Sequence, residues 1–564
     1  MSQISNSNPM TRGKKILIIV LSCIFAVFVA AFICADVLIS RAVHQKVNEA
    51  LVNLPNCEAG CGDIHVYFFG GMAEVKDLYF RYTADEELVK QSIGKKQAAK
   101  LKQMPGIEVR IESVSVGRVF YGPLLSKNLL LHAIHIDHPS VELWLDEKHP
   151  ELAFPQMRDT TLEKANMWLK EAVLNRFHID DASLAYHSLR EKTDIGVKAL
   201  SLCVHDLAFN FVDTTFSYND SVYSLDLDEF AVVVPDGLTR IEAHDIKTHN
   251  QKGLELGYTR IANTMPKNKM ADIVKEPVTW MDLQIKSVKT SPFNPIRKAL
   301  AKDYTLDNMD VVIEQMDVYR DNRYKPTKPF PMPQEILMAL PVKFNIKQVN
   351  AKMKKINIEL VLTSDKNVGQ LTISDIKAKV KNVTNRKDQV MSIEGDCPFG
   401  TTGHAEAQVS MQMSKNSQFQ TRLHAEKVQL NTLNPFLRPM LGITCDCNLD
   451  ALDTHYTGDN VQATGTFRML YQGLYVRVHE EDDIPIKALK DHAKFITSAA
   501  NSLLPKSNPT SVDVRPRAYS VNWKRDEWKP FPLYLFGPMI DGIKKTMLPG
   551  LFVHEQTKND DFSK

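Results

Sequence analysis

At 564 residues the chain exceeds what one compact core usually accommodates, unless its units bury surface only against their neighbours. Lys and Arg number 69 against 67 Asp and Glu, for a net charge of +2. That balance lacks the positive excess a polyanion requires, which excludes a nucleic-acid-binding signature.

Residues 16–35 form a twenty-residue run without a charge, and Arg12, Lys14 and Lys15 stand just before it. At about 1.5 Å rise per residue this helix crosses a hydrocarbon core of roughly 30 Å. The positive-inside rule then puts residues 1–15 in the cytosol and everything after Asp36 in a bacterial periplasm or an equivalent compartment. A signal peptide cleaved near Val29-Ala30-Ala31 is the rival reading. The length of the apolar run opposes it, as does helical periodicity continuing through Val43, Val47, Ala50, Leu51 and Leu54, which extends a juxtamembrane helix over 37–56.

Of eight cysteines, Cys23 and Cys34 fall in the apolar run, leaving Cys57, Cys61, Cys203, Cys397, Cys445 and Cys447. Six allow fifteen pairings. Cys57 and Cys61, bracketing Gly60, are the pair best placed for a local disulfide in an oxidising compartment. Cys445-Asp446-Cys447 resembles a metal pair, but no second pair at zinc spacing follows, so free or remotely paired thiols are the preferred reading.

Residues 64–69 and 75–82 predict a hairpin turned at Gly70-Gly71, and residues 85–104 a charged surface helix ended by Pro105-Gly106. Ile107, Val109 and Ile111 alternate with Glu108, Arg110 and Glu112; after Ser113 the phase slips to Val114 and Val116, which predicts a bulge. Leu129–Leu131, Ile134 and Ile136 follow, then His138-Pro139 and the alternating run Val141-Glu142-Leu143-Trp144-Leu145. Thr160 and Glu163 form a capping-box pattern ahead of Leu162, Ala165, Leu169 and Val173, predicting a helix packed on a sheet. Alternating strands dominate from residue 200. Pro326, Pro329, Pro331, Pro333 and Pro341 mark residues 301–342 as an ordered crossover. Beyond it the alternation is clean: Ala405, Ala407, Val409, Met411 and Met413 share one face, His404, Glu406, Gln408, Ser410 and Gln412 the other.

One spacing recurs. Phe177-Ile179-Ala182-Leu184, Phe344-Ile346-Val349-Ala351-Met353 and Leu371-Ile373-Ile376-Ala378-Val380 place apolar residues at i, i+2, i+5 and i+7, and Leu283-Ile285-Val288 fills the first three of these positions. A repeated slip bends successive strands alike and makes a trough with one apolar face. A bare apolar face much above a few hundred Å² is rare in water, so a ligand, helices or a second sheet must cover it. A closed sandwich remains open as the alternative. Toward the C-terminus, Ile486, Leu489, Ala493, Ile496, Ala500 and Leu503 trace a helical stripe. Trp523, Trp528, Phe531, Tyr534 and Phe536 precede a basic helix through Met539, Ile540, Ile543, Lys544-Lys545 and Leu548. Such a segment touches a membrane interface or protects the edge of the last strand; the second reading is preferred.

No Walker loop, dinucleotide fingerprint, His-Glu-x-x-His or Gly-x-Ser-x-Gly elbow is present, so neither an enzyme nor a cofactor is expected. His132, His135 and His138 suggest a metal cluster, but on a strand His135 points away from the other two. A solvent-facing row, with no metal, is preferred. Cys203 and His205 share a face without partners in sequence, and Asp180-Asp181 and Asp482-Asp483 fit turns.

The chain resembles the AsmA-like family, TamB-related members of the repeating-β-groove, bridge-like lipid-transfer proteins. The likeness rests on the N-terminal anchor, on Leu124-Leu125 through Leu129-Leu130-Leu131, Ile134, Ile136, Pro139, Val141 and Leu143, and on Phe177-His178-Ile179-Asp180-Asp181-Ala182-Ser183-Leu184. It also includes Leu430-Asn431-Thr432-Leu433-Asn434-Pro435-Phe436 leading into Gly442. The resemblance implies a mainly β fold: a transmembrane helix, then an elongated, curved antiparallel β-sheet groove with a few flanking and C-terminal helices. Its halves would be 57–300 and 343–480, with a helical and aromatic cap over 481–564. It further implies passive binding or conduction of phospholipid or other envelope-lipid acyl chains in outer-membrane maintenance, with an outer-membrane or periplasmic protein partner. Ile134, Ile136, Val141, Leu143, Ile346, Val409, Met411 and Val461 are the expected groove lining. About twenty strands at roughly 4.8 Å spacing give a groove near 100 Å, short for bridging a periplasm unaided. A lipid-free scaffold or regulator of outer-membrane assembly is the alternative.

Overall fold

The computed structural model describes residues 36–45, 56–154, 169–210, 215–235, 237–249, 252–293, 298, 302–362, 367–479, 493–557 and 562. The protein is mainly β, with 23 strands among these residues. It divides into two units, Met1–Phe230 and Ala231–Lys564. The apolar run over 16–35 lies outside the described residues, as does the 46–55 part of the expected juxtamembrane helix. Among the described residues no helix is long and apolar enough to cross a membrane.

In the first unit residues 36–45 are helical and tied to the sheet. Ser40 Oγ accepts the Val66 N–H at 2.7 Å, and the Asp36 carboxylate accepts the Phe68 N–H at 3.0 Å. Strands β1 (Cys57–Gly60) and β2 (Ile64–Tyr67) both pair antiparallel with β3 (Met72–Thr83), and β3 pairs with β4 (Gly106–Val116). β5 (Val119–Phe120), β6 (Asn128–Asp137), β7 (Ser140–Leu145), β8 (Glu171–Ser188), β9 (Asp194–Asn210) and β10 (Thr215–Val233) follow. β6 and β7 form one line broken at His138-Pro139: β4 pairs with both, and β8 runs parallel to both. β9 pairs antiparallel with β8, and β10 pairs with β9.

The predicted slip is a physical discontinuity crossing these strands. Pairing of β3 with β4 skips Asp77 and Glu112, β6 gives way to β7 at His138, and the β8–β9 register shifts around Ala182. Asp77, His138 and Asp181 have φ of 51°, 46° and 50°, and Asp375, in the Leu371–Val380 unit, has 55°. Aspartate tolerates this left-handed conformation better than most L-residues because its short polar side chain bonds locally to the backbone.

Three expectations change here. The surface helix is two short ones, α1 (Glu86–Ile93), capped by the Asp85 carboxylate, and α2 (Lys95–Ala98), separated by Gly94 at φ 84°; a further short helix, α3 (Tyr121–Leu124), follows β5. Val173 lies in β8, opposite Ala208, instead of closing a helix whose Thr160–Ala165 start is outside the described residues. Cys57 and Cys61 are not joined by a disulfide: β1 extends between them, so about 3.3 Å per residue separates their Cα atoms by roughly 13 Å, well beyond the span of the bond. Burial instead raises the pKa of both thiols.

The second unit begins with β11 (Thr239–His249), which pairs with β12 (Leu254–Leu256) and β13 (Thr259–Asn263); both pair with β14 (Val278–Thr290). The sheet continues through β15 (Asp303–Asp321), β16 (Lys343–Val361), β17 (Val368–Thr384), β18 (Val390–Phe399), β19 (Gly403–Gln412), β20 (Phe419–Gln429), β21 (Ile443–Gly458), β22 (Gln462–Val478) and β23 (Ala518–Lys524). Each pairs antiparallel with the next except β15 and β16, which are parallel. The crossover is therefore shorter than expected, 322–342, because residues 303–321 are a full strand; parallel neighbours need such a connection.

Helices α4 (Lys267–Val274), α5 (Pro333–Met338), α6 (Asn434–Leu441), α7 (Ala493–Leu503) and α8 (Phe531–Met547) belong to this unit. Helix α8 lies close on β22 and β23: a Cβ on Gly537 would overlap the Trp523 indole, and one on Gly542 would overlap the Phe467 ring. Tyr534 donates to the Asp459 carbonyl at 3.0 Å, and Tyr456 donates to the Leu535 carbonyl. Lys545, nearly buried, pairs with Asp541 at 2.9 Å and with Glu555, so half of the Lys544-Lys545 pair faces protein. Beyond the helix, Thr557 N–H bonds the Ala518 carbonyl at 2.8 Å and Gln556 bridges Tyr519, occupying the free edge of β23. The described residues of the C-terminal segment thus lie against β22 and β23.

Candidate functional site

Alternation and register together build continuous apolar rows across the strands. In the first unit, Val75, Val114, Ile136, Ile179 and Leu202 are successive partners from β3 to β9. So are Phe80, Val109, Val141, Leu184 and Val197 on the other side of the discontinuity. The slip keeps both sets on one face: without the extra residue, Val141 and Leu184 would point opposite to Ile136 and Ile179. In the second unit, Leu283, Met316, Ile356 and Ile373 make an equivalent row, as do Ile285, Ile313, Met353 and Ile376.

What covers these rows differs along the chain. No residue of β6, β7 or β8 is fully buried, and in β9 only Val204 is. Leu184 is 40 % exposed. In β15, β16 and β17 the apolar residues are likewise mostly half-buried, with Tyr319 and Val361 as the buried exceptions. The large cores lie elsewhere. Met391, Met411, Met413, Phe419, Tyr456 and Tyr534 are packed together under α5 and α8, and Phe467, Met469, Tyr471, Leu474 and Val521 make a second core against α6 and α8 residues.

This divides the expected groove lining. Ile134, Ile136, Val141, Leu143 and Ile346 sit on the half-exposed face. Met411 is 5 % exposed and Val409 packs against the same cluster, so both belong to a sealed core: their row is roofed by helices from distant parts of the sequence. Val461 is not on a strand face. It lies in the turn between β21 and β22, 55 % exposed, its N–H bonded to the Asp459 carboxylate at 2.7 Å.

At the β2–β3 end of the first unit, exposed apolar side chains gather: Tyr67, Phe68, Phe69 and Met72, with Tyr121 and Leu125 on the segment after β5. The Phe68 ring lies 5.5 Å from Phe69 and 5.7 Å from Tyr121, whose hydroxyl donates to the Phe68 carbonyl at 2.5 Å. This is also where Asp36, the first residue after the apolar run, is bonded.

The opposite face is polar. His135 and His178 are register partners whose rings stack at 5.0 Å, and both reach Asp180, at 2.8 and 3.1 Å. His138 contacts Asp137, Asp181 and Glu112 at 2.9, 3.1 and 3.4 Å. Burial works against its charged form, but the three carboxylates outweigh it and raise its pKa. Spacing within one strand turned His135 away from His138, yet both make their contacts on this face, and it missed that each has a carboxylate partner on β8. The legible signal was the tripeptide His-Ile-Asp, present at 135–137 and again at 178–180. Cys203 Sγ lies 3.5 Å from His205 Nε2. Cys445 and Cys447 are core residues with free thiols, which burial pushes up to about 11 and about 12. No family model matches the chain, and no curated protein matches it.

Proposed function

We propose that the chain is an inner-membrane-anchored, periplasmic, AsmA-like protein that holds lipid acyl chains on its apolar sheet face in maintenance of the cell envelope. One observation carries the reading: β6, β7 and β8 present ordered rows of Ile, Val, Leu and Phe of which none is fully buried. A surface of this kind is normally covered, and hydrocarbon covers it without needing hydrogen bonds. Headgroups stay in water, so the mechanism needs no catalyst. The aromatic cluster around Phe68 and Tyr121, beside the residue that follows the apolar run, suits a bilayer interface and supports entry of lipid at that end. The helix-roofed strands β18–β23 contribute structure and a surface for a protein partner; there the groove reading is withdrawn.

Native mass spectrometry of gently extracted protein tests this. Co-purifying phospholipid is expected, and Ile136→Glu combined with Ile179→Glu abolishes it. A lipid-free wild type, or undiminished lipid in the double variant, counts against the proposal. Crosslinking that captures a protein and no lipid favours the scaffold reading.

A further inference from the structure

We infer that His135, His178 and Asp180 form a binding site for a divalent transition-metal ion of the zinc class, on the polar face of the first unit. The inference does not rest on the lipid reading. Its basis is that the same tripeptide, His-Ile-Asp, stands on β6 and on β8, and that these strands are parallel and in register. Like therefore neighbours like: His135 beside His178 and Asp137 beside Asp180. Two carboxylates side by side repel, and two imidazoles gain little from each other. Asp137 is paired with His138, and a cation would join the two imidazoles to Asp180.

The donors already converge. One ligand atom from each of His135, His178 and Asp180 lies within 4.8 Å of the other two. The imidazole Nε2 atoms stand 2.8 and 3.1 Å from the two Asp180 oxygens. A tetrahedral ion with bonds of about 2.0–2.1 Å places neighbouring donors roughly 3.3 Å apart, so the histidine–carboxylate separations need only small adjustments. The side chains are 41, 36 and 37 % exposed, which gives an ion access and leaves its fourth position to water. Register also places Cys203 opposite His178 on β9, within the same row of the face. Two imidazoles and a carboxylate suit zinc and its neighbours over calcium or magnesium, which take oxygen ligands. Bound there, the ion clamps β6 to β8 beside the discontinuity at His138 and Asp181.

The experiment uses untagged full-length protein in mild detergent, stripped with chelator and titrated with zinc chloride against a chromophoric competitor, with cobalt(II) absorption as a second readout. One zinc equivalent is expected, with tetrahedral cobalt bands. His135→Ala and His178→Ala weaken binding at least about 100-fold, and His424→Ala, which removes another histidine–aspartate pair, leaves it unchanged. Circular dichroism and the isosteric Asp180→Asn, expected to weaken binding about 10-fold, separate loss of the ligand from loss of fold. Absence of zinc binding in the wild type, or equal binding in wild type, His135→Ala and His178→Ala, overturns the inference.

Discussion

Ile179→Glu and Met411→Glu put the same carboxylate on the same kind of position, an apolar residue of an alternating strand, and the structure assigns them opposite consequences. Met411 is 5 % exposed and packed in one core with Phe419, Tyr456 and Tyr534. Replacing it removes a full side-chain transfer term and leaves a carboxylate with no partner in an apolar interior, roughly 3–5 kcal/mol in total. Ile179 is only half-buried, flanked by Ile136 and Leu202 in its row. There the new carboxylate reaches water, and the loss is about half of one side-chain transfer, about 1 kcal/mol. Urea unfolding of both full-length variants in mild detergent, followed by limited proteolysis, reads the difference. Equal destabilisation by the two substitutions would mean that the β8 face is sealed by protein, and the open-face reasoning would fail.

Arg190→Ala removes the guanidinium that grips the fully buried Asp146 at 2.5 and 2.6 Å, and costs about 2–4 kcal/mol at neutral pH because an unpaired buried carboxylate remains. Burial alone would raise the Asp146 pKa, but Arg190 and the Lys148 N–H outweigh it and lower the value. The stabilisation is therefore complete above the ordinary carboxylate range and is lost as pH falls through the lowered value, so thermal melts of wild type and variant converge in acid. Cys445 and Cys447 should resist iodoacetamide at pH 8 in native protein and react after denaturation, because burial keeps both thiols protonated; rapid native labelling would contradict the core placement. Tyr534→Phe removes the hydrogen bond to Asp459 and should lower stability by about 1 kcal/mol, measured as a shift in the unfolding midpoint.

Much of the fold was legible because strand alternation has a strict period. The faces of β4, β6, β8, β16 and β19 follow from their residues alone. The slip in the Phe177 and Leu371 units was visible as spacing, and it resolves into Asp181 and Asp375 in the left-handed region. What sequence could not separate was Ile136 from Met411. Both are apolar residues at alternating positions, and the difference is made by α5 and α8, far from β19 in the chain. The Asp303–Asp321 strand is hard to separate from the crossover in sequence, because the prolines around Pro329 dominate the stretch that follows it. The histidine cluster was hidden for a different reason: local spacing describes one strand, whereas His135 meets His178 only through a parallel register.

On the proposed reading, lipid lies on one face of β6–β8 and not on the other. Site-specific photocrosslinking in intact cells tests it directly, with Ile136→benzoylphenylalanine and Leu184→benzoylphenylalanine on the apolar face and Arg176→benzoylphenylalanine on the polar one. Phospholipid adducts, identified by mass spectrometry, are expected at 136 and 184 and none at 176. No adduct at 136 and 184, or equal yields on both faces, would contradict it.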